Sequence, residues 1–417
     1  MAEADAFPFE RIFAIPLRNG LTRPRAVRGS GTKMVNMGEL FAHGRIRNVE
    51  MDRVPLGERE AAAFLLEAGD LLFARQSLVL AGAGKCALFL GDDEPVTFES
   101  HIIRARLDEA KADSGFFYYF FKSPMGRSAI ESIVEQVAAA GIRGGDLAKL
   151  DIPRVPLSKQ RAIAHILGTL DDKIDLNRRM SETLEAMARA LFKSWFVDFD
   201  PVHAKAEGRD PCLPNALADL FPDRFEGSEL GEIPVGWEVR RLGDLLELAY
   251  GKALKAEDRR DGNVPVYGSN GQVGWHDERL VAGPGIVVGR KGNPGIVTWT
   301  PGDFFPIDTA FYVVPTANCG SLHFLLHALQ GHDLASLGAD SAVPGLNRNL
   351  AYMSDQILPP ASLLEEFDRF VSGLSQRADQ RNKESRTLAA LRDTLLPKLI
   401  SGELSVRDAD RFLGRAI

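Results

Sequence analysis

Apolar residues recur at helical spacing along two long stretches of this chain. The first runs from Ser158 to Phe199 and the second from about Ser362 to Ile400, and both follow a nearly heptad spacing. The first seam consists of Ile163, Ile166, Leu167, Leu170, Ile174, Met180, Leu184, Met187, Leu191 and Trp195, and the second of Phe367, Phe370, Leu374, Leu388, Leu391 and Leu395. About forty helical residues at 1.5 Å each span roughly 60 Å. Because helices of that length cannot bury a stripe against one small domain, we expect them to pack on each other as an antiparallel coiled coil.

Both seams become polar at the same place. Asn177 interrupts the first, and Arg381 and Glu384 interrupt the second. One interpretation is a solvated break in the seam. The other is a device that fixes the register, since a buried polar pair can specify alignment at some cost in stability. The sequence leaves both interpretations open.

The rest of the chain alternates short apolar runs with Gly, Pro and Asn turns, in two regions of about 7–156 and 237–360. Ile286–Val288 and Ile296–Trp299 are predicted strands joined by a glycine-rich turn. Phe116–Lys122 and Leu322–Gln330 are predicted helices. These patterns predict two globular domains of mixed α/β structure.

The two halves of the chain are related by an internal repeat. Gly69–Arg75 matches Pro284–Arg290 at an offset of 215 residues, and Gly115–Phe121 matches Gly320–Leu326 at an offset of 205. The two helical seams match at an offset of 204. Three matches in the same order predict two similar domains, each followed by a long helix. The predicted boundaries are a first domain 1–156, a central helix 157–200, a linker 201–236, a second domain 237–360, a distal helix 361–405 and a tail 406–417.

Composition restricts the class of protein. The chain has 417 residues, of which 45% are hydrophobic and 26% charged, which is typical of globular domains. It has no apolar run of the roughly 20 residues that cross a bilayer, and its first residues do not resemble a signal peptide. Its three cysteines lie far apart, which argues against a disulfide framework or a zinc cluster. We therefore expect a cytoplasmic protein that is not membrane-bound.

The net charge of −7 is unevenly distributed. Residues 201–236 are strongly acidic, whereas the segment from Arg11 to Gly38 has six basic residues and no acidic one. Because charge acts over about 10 Å at physiological salt, a remote acidic segment does not abolish a local basic surface. Nucleic acid remains a candidate ligand.

No catalytic pattern is complete. The segment Leu80–Cys86 lacks the first Gly and the Ser/Thr of a phosphate-binding loop, which makes a simple turn the expectation. His323 and His327 have no acidic residue between them, so the zinc-hydrolase pattern fails and a surface helix face is expected. Asp171-Asp172-Lys173 is expected to face solvent from its helix. We predict neither a catalytic site nor a metal site in this chain.

Three segments carry a family resemblance. Leu157-Ser158-Lys159-Gln160-Arg161-Ala162-Ile163-Ala164, continuing to Trp195-Phe196-Val197-Asp198-Phe199-Asp200-Pro201, resembles the central region of type I restriction–modification specificity subunits. Leu230–Trp237 is similar to that family's entry to its second domain, and Leu395–Leu404 to its closing segment. The resemblance covers nearly the whole chain in the right order.

This resemblance implies two target-recognition domains, each of which reads one half of a split, asymmetric site in double-stranded DNA. It implies that the long helices hold the domains apart and dock two methyltransferase subunits, with restriction and translocation subunits joining them. The chain itself would bind no cofactor, and S-adenosylmethionine, ATP and Mg would belong to its partners. The function implied is to direct adenine methylation and restriction by those partners.

Candidate DNA-binding residues follow from base-recognition chemistry. Arg can bond guanine bidentately and Asn or Gln can do so with adenine, while Lys and Ser mainly contact phosphates. Arg75 and Arg290 are the preferred candidates because the repeat puts both on equivalent loops. The first-domain candidates are Arg18, Asn19, Arg23, Arg25, Arg28, Arg75, Gln76 and Arg143. The second-domain candidates are Tyr267, Ser269, Asn270, Gln272, Arg290, Lys291, Asn293, Asn347, Arg348 and Asn349.

Trp195 and Phe196, at the end of the first long helix, are candidates for partner docking, with a contact inside the core as the alternative. Two other classes of protein stay open. One is a stand-alone DNA-binding protein, such as a regulator or an anti-restriction factor. The other is a coiled-coil scaffold that binds only proteins and would have no salt-dependent affinity for DNA.

Overall fold

The computed structural model describes residues 6–136, 140–339 and 345–416. The chain forms two compact units. Unit 1 contains the chain up to Asp175 and again from Ser385, and unit 2 contains Leu176–Glu384. The division therefore falls inside both long helices, so that each unit contains one globular region and part of each helix.

Unit 1 combines short strands with short helices. Its strands are β1 (Ala6–Pro8), β2 (Phe13–Asn19), β3 (Thr32–Val35), β4 (Arg45–Ile46), β5 (Asp52–Val54), β6 (Leu71–Ala74), β7 (Gln76–Ser77), β8 (Cys86–Phe89), β9 (Val96–Phe98), β10 (Ile102–Leu107), β11 (Glu135–Gln136), β12 (Ala140–Gly141) and β13 (Asp151–Pro153). Its short helices are α1 (Met37–Ala42), α2 (Glu58–Phe64), α3 (Ser114–Lys122), α4 (Pro124–Glu131) and α5 (Gly144–Lys149). The long helix α6 (Leu157–Phe196) begins in this unit.

Unit 2 repeats this combination. After α7 (Asp200–Ala206) and α8 (Asn215–Ala218), its strands and helices are β14 (Phe225–Ser228), β15 (Gly231–Pro234), β16 (Glu238–Arg241), α9 (Leu242–Leu245), β17 (Leu246–Tyr250), β18 (Val264–Gly268), β19 (Gly271–His276), β20 (Gly285–Gly289), β21 (Val297–Thr300), β22 (Phe305–Pro306), β23 (Ala310–Pro315), α10 (Leu322–Gly331), β24 (Gly338–Ala339), β25 (Gly345–Leu346), α11 (Arg348–Tyr352) and β26 (Asp355–Leu358). The second long helix, α12 (Ala361–Ser401), begins here, and α13 (Val406–Ala416) follows it.

The two globular regions share one topology, which confirms the mixed α/β repeat. The main sheet of unit 1 has the order β2-β10-β6-β8-β4, and that of unit 2 has the order β17-β23-β20-β21. The four equivalent strands are antiparallel in both units. A smaller sheet also recurs, β5-β3-β9 and β19-β18-β22, each with one antiparallel and one parallel pair.

The offsets of the repeat are largely as the sequence indicates. The long helices start at Leu157 and Ala361, an offset of 204 residues. The exception is the pair α3 and α10, whose N-caps are Asp113 and Ser321, an offset of 208 rather than the 205 predicted. Three residues are close to one helical turn, so either alignment puts apolar residues on the same face.

The long helices run antiparallel within each unit. In unit 1, Ile163 and Leu170 of the first helix share a core with Leu388 and Leu395 of the second. In unit 2, the other ends meet and Phe192 lies 6.0 Å from Phe367 between ring centroids. The first helix ends at Phe196 rather than at Phe199, which adopts a left-handed φ of 53° and precedes α7.

The segment predicted as a linker, 201–236, is folded. It forms α7, α8 and the β14–β15 hairpin, and it contributes Val202, Leu217, Phe221 and Ile233 to the core of unit 2. The segment predicted as a tail contains α13.

Helix α3 lies in the core of unit 1 and is buried on all sides. Every side chain from Phe116 to Phe121 is no more than 2% exposed. Complete burial of each such ring contributes about 2–3 kcal/mol of hydrophobic free energy. Among the described residues, no helix combines the length and apolar character needed to cross a membrane.

Asp171 is buried, contrary to the expectation that its charged run faces solvent. The side chain is 6% exposed, accepts a 2.7 Å hydrogen bond from the Tyr119 hydroxyl and pairs with Arg392. Burial and the neighbouring Asp171 carboxylate raise the pKa of Tyr119, which keeps the hydroxyl protonated as a donor. Asp171 therefore joins α3 to both long helices within unit 1.

Candidate nucleic-acid interface

Arg75 and Arg290 occupy equivalent positions in the two units. Each directly follows the same strand of the main sheet, β6 in unit 1 and β20 in unit 2. The Arg75 carbonyl accepts a 2.9 Å hydrogen bond from the Ile142 amide, and the Arg290 carbonyl accepts one of 2.9 Å from the Leu346 amide. Both arginines are therefore fixed at the same edge of their sheets, next to the start of a short helix.

In unit 2 this edge carries two arginines on one aromatic ring. The guanidinium carbons of Arg290 and Arg348 lie 4.7 and 4.8 Å from the centroid of Tyr250, which is 52% exposed. Arg290 also donates a 2.9 Å hydrogen bond to the Asp308 carbonyl, and Arg348 one of 3.3 Å to the Leu248 carbonyl. Cation–π contact orients a guanidinium while leaving some of its N–H groups for other acceptors. We refer to Tyr250, Arg290 and Arg348 as the arginine–tyrosine cluster.

Tyr250 was not among the candidates from the sequence. Its only signal there is an aromatic residue directly before Gly251 and Lys252, at the end of an apolar run. Exposed aromatic rings among cations are a common feature of nucleic-acid-binding surfaces.

Several other second-domain candidates lie close to this edge. Ser269 and Asn270 form the turn between β18 and β19. A Cβ atom at Gly289 would lie 2.6 Å from the Ser269 carbonyl oxygen, so this turn packs directly against the strand that leads to Arg290. Lys291 and Asn293 follow in the next loop with exposed side chains. Gln272 and Asn349 are also exposed.

Two second-domain candidates have structural roles instead. Tyr267 is 7% exposed and packs on Phe304, with 6.2 Å between ring centroids, because it lies on the inward face of β18. The Asn347 side chain caps α11 by accepting hydrogen bonds from the Asn349 and Leu350 amides. Neither Tyr267 nor Asn347 is therefore free to read a base, contrary to the prediction from the sequence.

The same edge of unit 1 is built from smaller residues. Asn19 pairs with Ile103 of β10 as Tyr250 pairs with Phe311 of β23, so Asn19 takes the position of Tyr250. Gly144 begins α5 as Arg348 begins α11. Asn19 and Gly144 line a cleft of about 610 Å³. The surface of unit 1 therefore has an open cleft at the positions that Tyr250 and Arg348 fill in unit 2.

The remaining candidates at this edge of unit 1 are accessible. Arg75 is half-buried, and Gln76 is exposed in the short strand β7. The Arg143 side chain is 72% exposed and pairs with Glu135 at 2.6 Å. Arg18, on β2, lies over the Phe64 ring at 5.0 Å.

The basic segment from Arg11 to Gly38 is partly neutralised. Carboxylates from other parts of unit 1 pair with three of its cations: Arg23 with Glu60 at 2.6 Å, Arg28 with Asp52 at 2.8 Å and Lys33 with Asp92 at 2.9 Å. The hydrogen bond from Arg23 lowers the pKa of Glu60, which keeps that carboxylate charged. Arg25 is exposed, and no ion pair involves it in the described part of the chain. Arg23 and Arg28 are therefore weaker DNA candidates than the sequence indicates.

The prediction that His323 and His327 lie on a surface face of α10 is also wrong. His323 and His327 are each 7% exposed, and His323 stacks on Trp299 with 4.7 Å between ring centroids. Burial lowers the pKa of His323 to about 4. These histidines are neutral core residues at pH 7.

Trp195 and Phe196 lie in the core of unit 2, not at a docking surface. Each is 2% exposed, and both pack on Phe367, with centroid distances of 6.0 and 5.0 Å. The alternative given for them, a contact inside the core, is the one the structure bears out.

The chain is thus a duplicated α/β protein, with the same sheet topology and an equivalent arginine in each unit. The sequence model of one protein family, described as the type I restriction modification DNA specificity domain, matches residues 31–186 and 234–350 of this chain. The chain belongs to this family and is a DNA specificity subunit of a type I restriction–modification system.

Individual relatives are consistent with this membership. The HindI specificity subunit of Haemophilus influenzae is 28% identical over 314 residues, which cover 59% of this chain and 67% of that protein. The MjaIX specificity subunit of Methanocaldococcus jannaschii is 25% identical over 71% of this chain and 70% of that protein. The crystal structure of a type I S subunit from M. genitalium shares the fold, with a TM-score of 0.60, 20% identity and coverage of 96% and 97% of the two chains.

Proposed function

We propose that each unit reads one half of a split, asymmetric site in double-stranded DNA, and that the chain directs adenine methylation and restriction by its partner subunits. The observation that carries this proposal is the equivalence of Arg75 and Arg290 at matching sheet edges. Arginine can form two hydrogen bonds to guanine in the major groove, which is the commonest base-specific contact.

The different surroundings of these arginines account for unlike half-sites. In unit 2 the ring of Tyr250 orients Arg290 and fills the surface beside it. In unit 1 Asn19 stands at the equivalent position, next to an open cleft. An amide can bond adenine bidentately, whereas an oriented guanidinium suits guanine, so the two edges favour different bases.

An apolar stripe on α6 supports the docking of partner subunits. Leu176, Met180 and Met187 are 50%, 38% and 52% exposed, and their spacing of four and seven residues aligns them along one side of the helix within unit 2. The heptad spacing predicts Met180 and Met187 in the packed seam, which is wrong, because Asn177 and Ser181 are the buried residues there. Exposed apolar stripes of this kind are typical of protein-binding surfaces. We assign this stripe to one of two methyltransferase subunits, with restriction and translocation subunits completing the enzyme.

In this proposal the chain has no catalytic role of its own. Several side chains that could take part in chemistry have structural roles: Asp171 is engaged by Tyr119 and Arg392, and His323 is buried against Trp299. In this proposal S-adenosylmethionine, ATP and Mg bind to the partners.

Selection from random duplexes tests the proposal. The chain is incubated with DNA in the presence or absence of a methyltransferase subunit of the same system, and the duplexes retained at two salt concentrations are sequenced. Two short blocks of sequence separated by a fixed gap, enriched together with the partner, support it. A single uninterrupted site bound without the partner would indicate a stand-alone regulator or anti-restriction factor. No salt-dependent retention would indicate a protein-binding scaffold.

A further inference from the structure

Unit 1 exposes three consecutive apolar side chains beside its candidate DNA-binding edge. Leu78, Val79 and Leu80 are 97%, 64% and 46% exposed. They follow Arg75, Gln76 and Ser77 along the chain, and Leu80 begins a single turn of 3₁₀ helix, Leu80–Gly82. Since most exposed apolar residues occur singly, a run of three at the tip of a loop requires a reason. We call these three residues the apolar tip.

Hydrogen bonds hold this loop in one conformation. The Val79 amide donates to Ser77 Oγ at 3.2 Å, the Gly82 amide to the Val79 carbonyl at 3.0 Å, and the Lys85 amide to the Gly82 carbonyl at 3.2 Å. A Cβ atom at Gly82 would lie 2.2 Å from Ser77 Oγ, so the turn closes tightly only because this residue is glycine. The tip is thus presented by a fixed turn.

The position and charge of the loop favour DNA as its occupant. The loop joins β6 to β8, as the loop with Lys291 and Asn293 joins β20 to β21 in unit 2. Arg75 and Lys85 flank the tip, and no acidic residue occurs between Asp70 and Asp92. Apolar side chains in a segment whose only charged residues are cations suit the interior of a polyanion better than an acidic protein surface.

We propose that the apolar tip inserts between neighbouring base pairs of the half-site read by unit 1, with Leu78 as the wedge. Apolar wedges of Leu, Ile, Met or Phe unstack a base step and kink the duplex in other DNA-binding proteins. Leu78 is 97% exposed, as a residue that contacts a base above and a base below must be before it binds. The equivalent loop of unit 2 exposes a single large apolar side chain, Ile296, rather than a run of three, so only the half-site of unit 1 is opened. This inference rests on the proposed function.

Fluorescence of 2-aminopurine tests the insertion, because its emission rises when the base loses its stacking neighbour. The probe replaces single bases of the selected duplex, outside the methylated adenines, and is bound by the complex of this chain with its methyltransferase subunit. We expect a rise at one step of the unit 1 half-site with the natural chain and with Leu78→Phe, and its loss with Leu78→Ser. Leu230→Ser, which also removes an exposed apolar side chain, leaves the rise unchanged.

Affinity gives the second readout. Leu78→Ser should weaken binding to the selected duplex about tenfold and leave binding to random duplexes unchanged. The insertion is disproved if the natural chain forms the specific complex without any fluorescence rise, or if Leu78→Ser retains that rise. Loss of methyltransferase binding alone in Leu78→Ser would make the tip a protein-docking site and also overturn the proposal. If the natural chain prefers no duplex, the proposed function has failed, which is a distinct result.

Discussion

The guanidinium of Arg290 lies 4.7 Å from the centroid of the Tyr250 ring and donates a 2.9 Å hydrogen bond to the Asp308 carbonyl. These two contacts fix its plane at the sheet edge. We expect Arg290→Ala to weaken recognition of one half-site by about 1–3 kcal/mol and to leave the other half-site unaffected. Competition binding with duplexes altered in one half-site at a time measures this. Equal loss on specific and random duplexes would make Arg290 a phosphate contact instead.

The Tyr250 ring is expected to act through the two arginines that it orients. Tyr250→Leu should weaken binding to the same half-site by about 1 kcal/mol, because Arg290 and Arg348 both lose their shorter cation–π contact and keep only those to Phe311 at 5.6 Å and Tyr352 at 5.7 Å. Tyr250→Phe keeps the ring and is the matched control. If both variants bind alike and more weakly than the natural chain, the hydroxyl rather than the ring is the functional group.

Local patterns were enough to predict much of this fold. Strands such as Gly285–Gly289, the helices α3 and α10, and both long helices follow from periodicity and turn residues. The equivalence of Arg75 and Arg290 followed from the repeat. The arginine–tyrosine cluster did not, because it joins Tyr250, Arg290 and Arg348 across about 100 residues of sequence, and only the sheet brings them together.

Asn177 and Glu384 form a buried polar contact between the long helices within unit 2, which agrees with the second of the two interpretations and not with a solvated break. Asn177 is fully buried, and its Nδ2 donates a 3.0 Å hydrogen bond to Glu384 Oε2. Nearby, Ser181 Oγ donates to the Ala378 carbonyl at 3.3 Å. We expect Asn177→Leu to loosen the register, since leucine packs equally well one heptad away.

Disulfide cross-linking measures that register. In a Cys212→Ser background, which removes the exposed native thiol, S181C should cross-link with A378C but not with V371C. Adding Asn177→Leu should permit both cross-links. If only the pair with A378C forms in that variant, the buried Asn177 contact does not set the register.

Burial of His323 predicts a loss of stability in acid. Its pKa is about 4 in the folded chain, because burial disfavours the charged imidazole, and about 6.5 in an unfolded chain. Between these values the unfolded state binds more protons, so stability falls as the pH drops from about 6.5 to about 4. Urea unfolding at pH 7 and pH 5 should show a smaller loss for His323→Gln than for the natural chain. His165→Gln, at an exposed position, should show the natural loss, and an equal loss in all three chains would count against the role of His323.

The apolar stripe on α6 should be required for docking of the methyltransferase. Met187→Asp puts a charge into this stripe, and we expect at least tenfold weaker association with the methyltransferase subunit, with the fold retained. Ala186→Asp adds the same charge about 100° around the helix and is the matched control. Association is measured by analytical ultracentrifugation. Equal effects of the two substitutions would show that charge, not the stripe, determines the result.

Charge and burial were the features least predictable from local sequence. The run from Arg11 to Gly38 is basic in sequence, yet Glu60, Asp52 and Asp92 neutralise part of it, because strand pairing brings distant carboxylates beside it. Trp195 at a helix end looks exposed in sequence, but the folded segment 201–236 covers it with Phe221. In each case the residue that decides charge or burial lies far along the chain from the local pattern on which the prediction was based.

A methylation map decides whether this chain specifies the DNA site. This chain is co-expressed with its methyltransferase subunit in a host without adenine methylation, and N6-methyladenine is located by long-read sequencing. We expect one motif of two unlike parts with a fixed gap, absent when this chain is omitted, and relaxed in only one part by Arg290→Ala. No new methylation from a soluble, associated pair would contradict the claim that this chain specifies the DNA site.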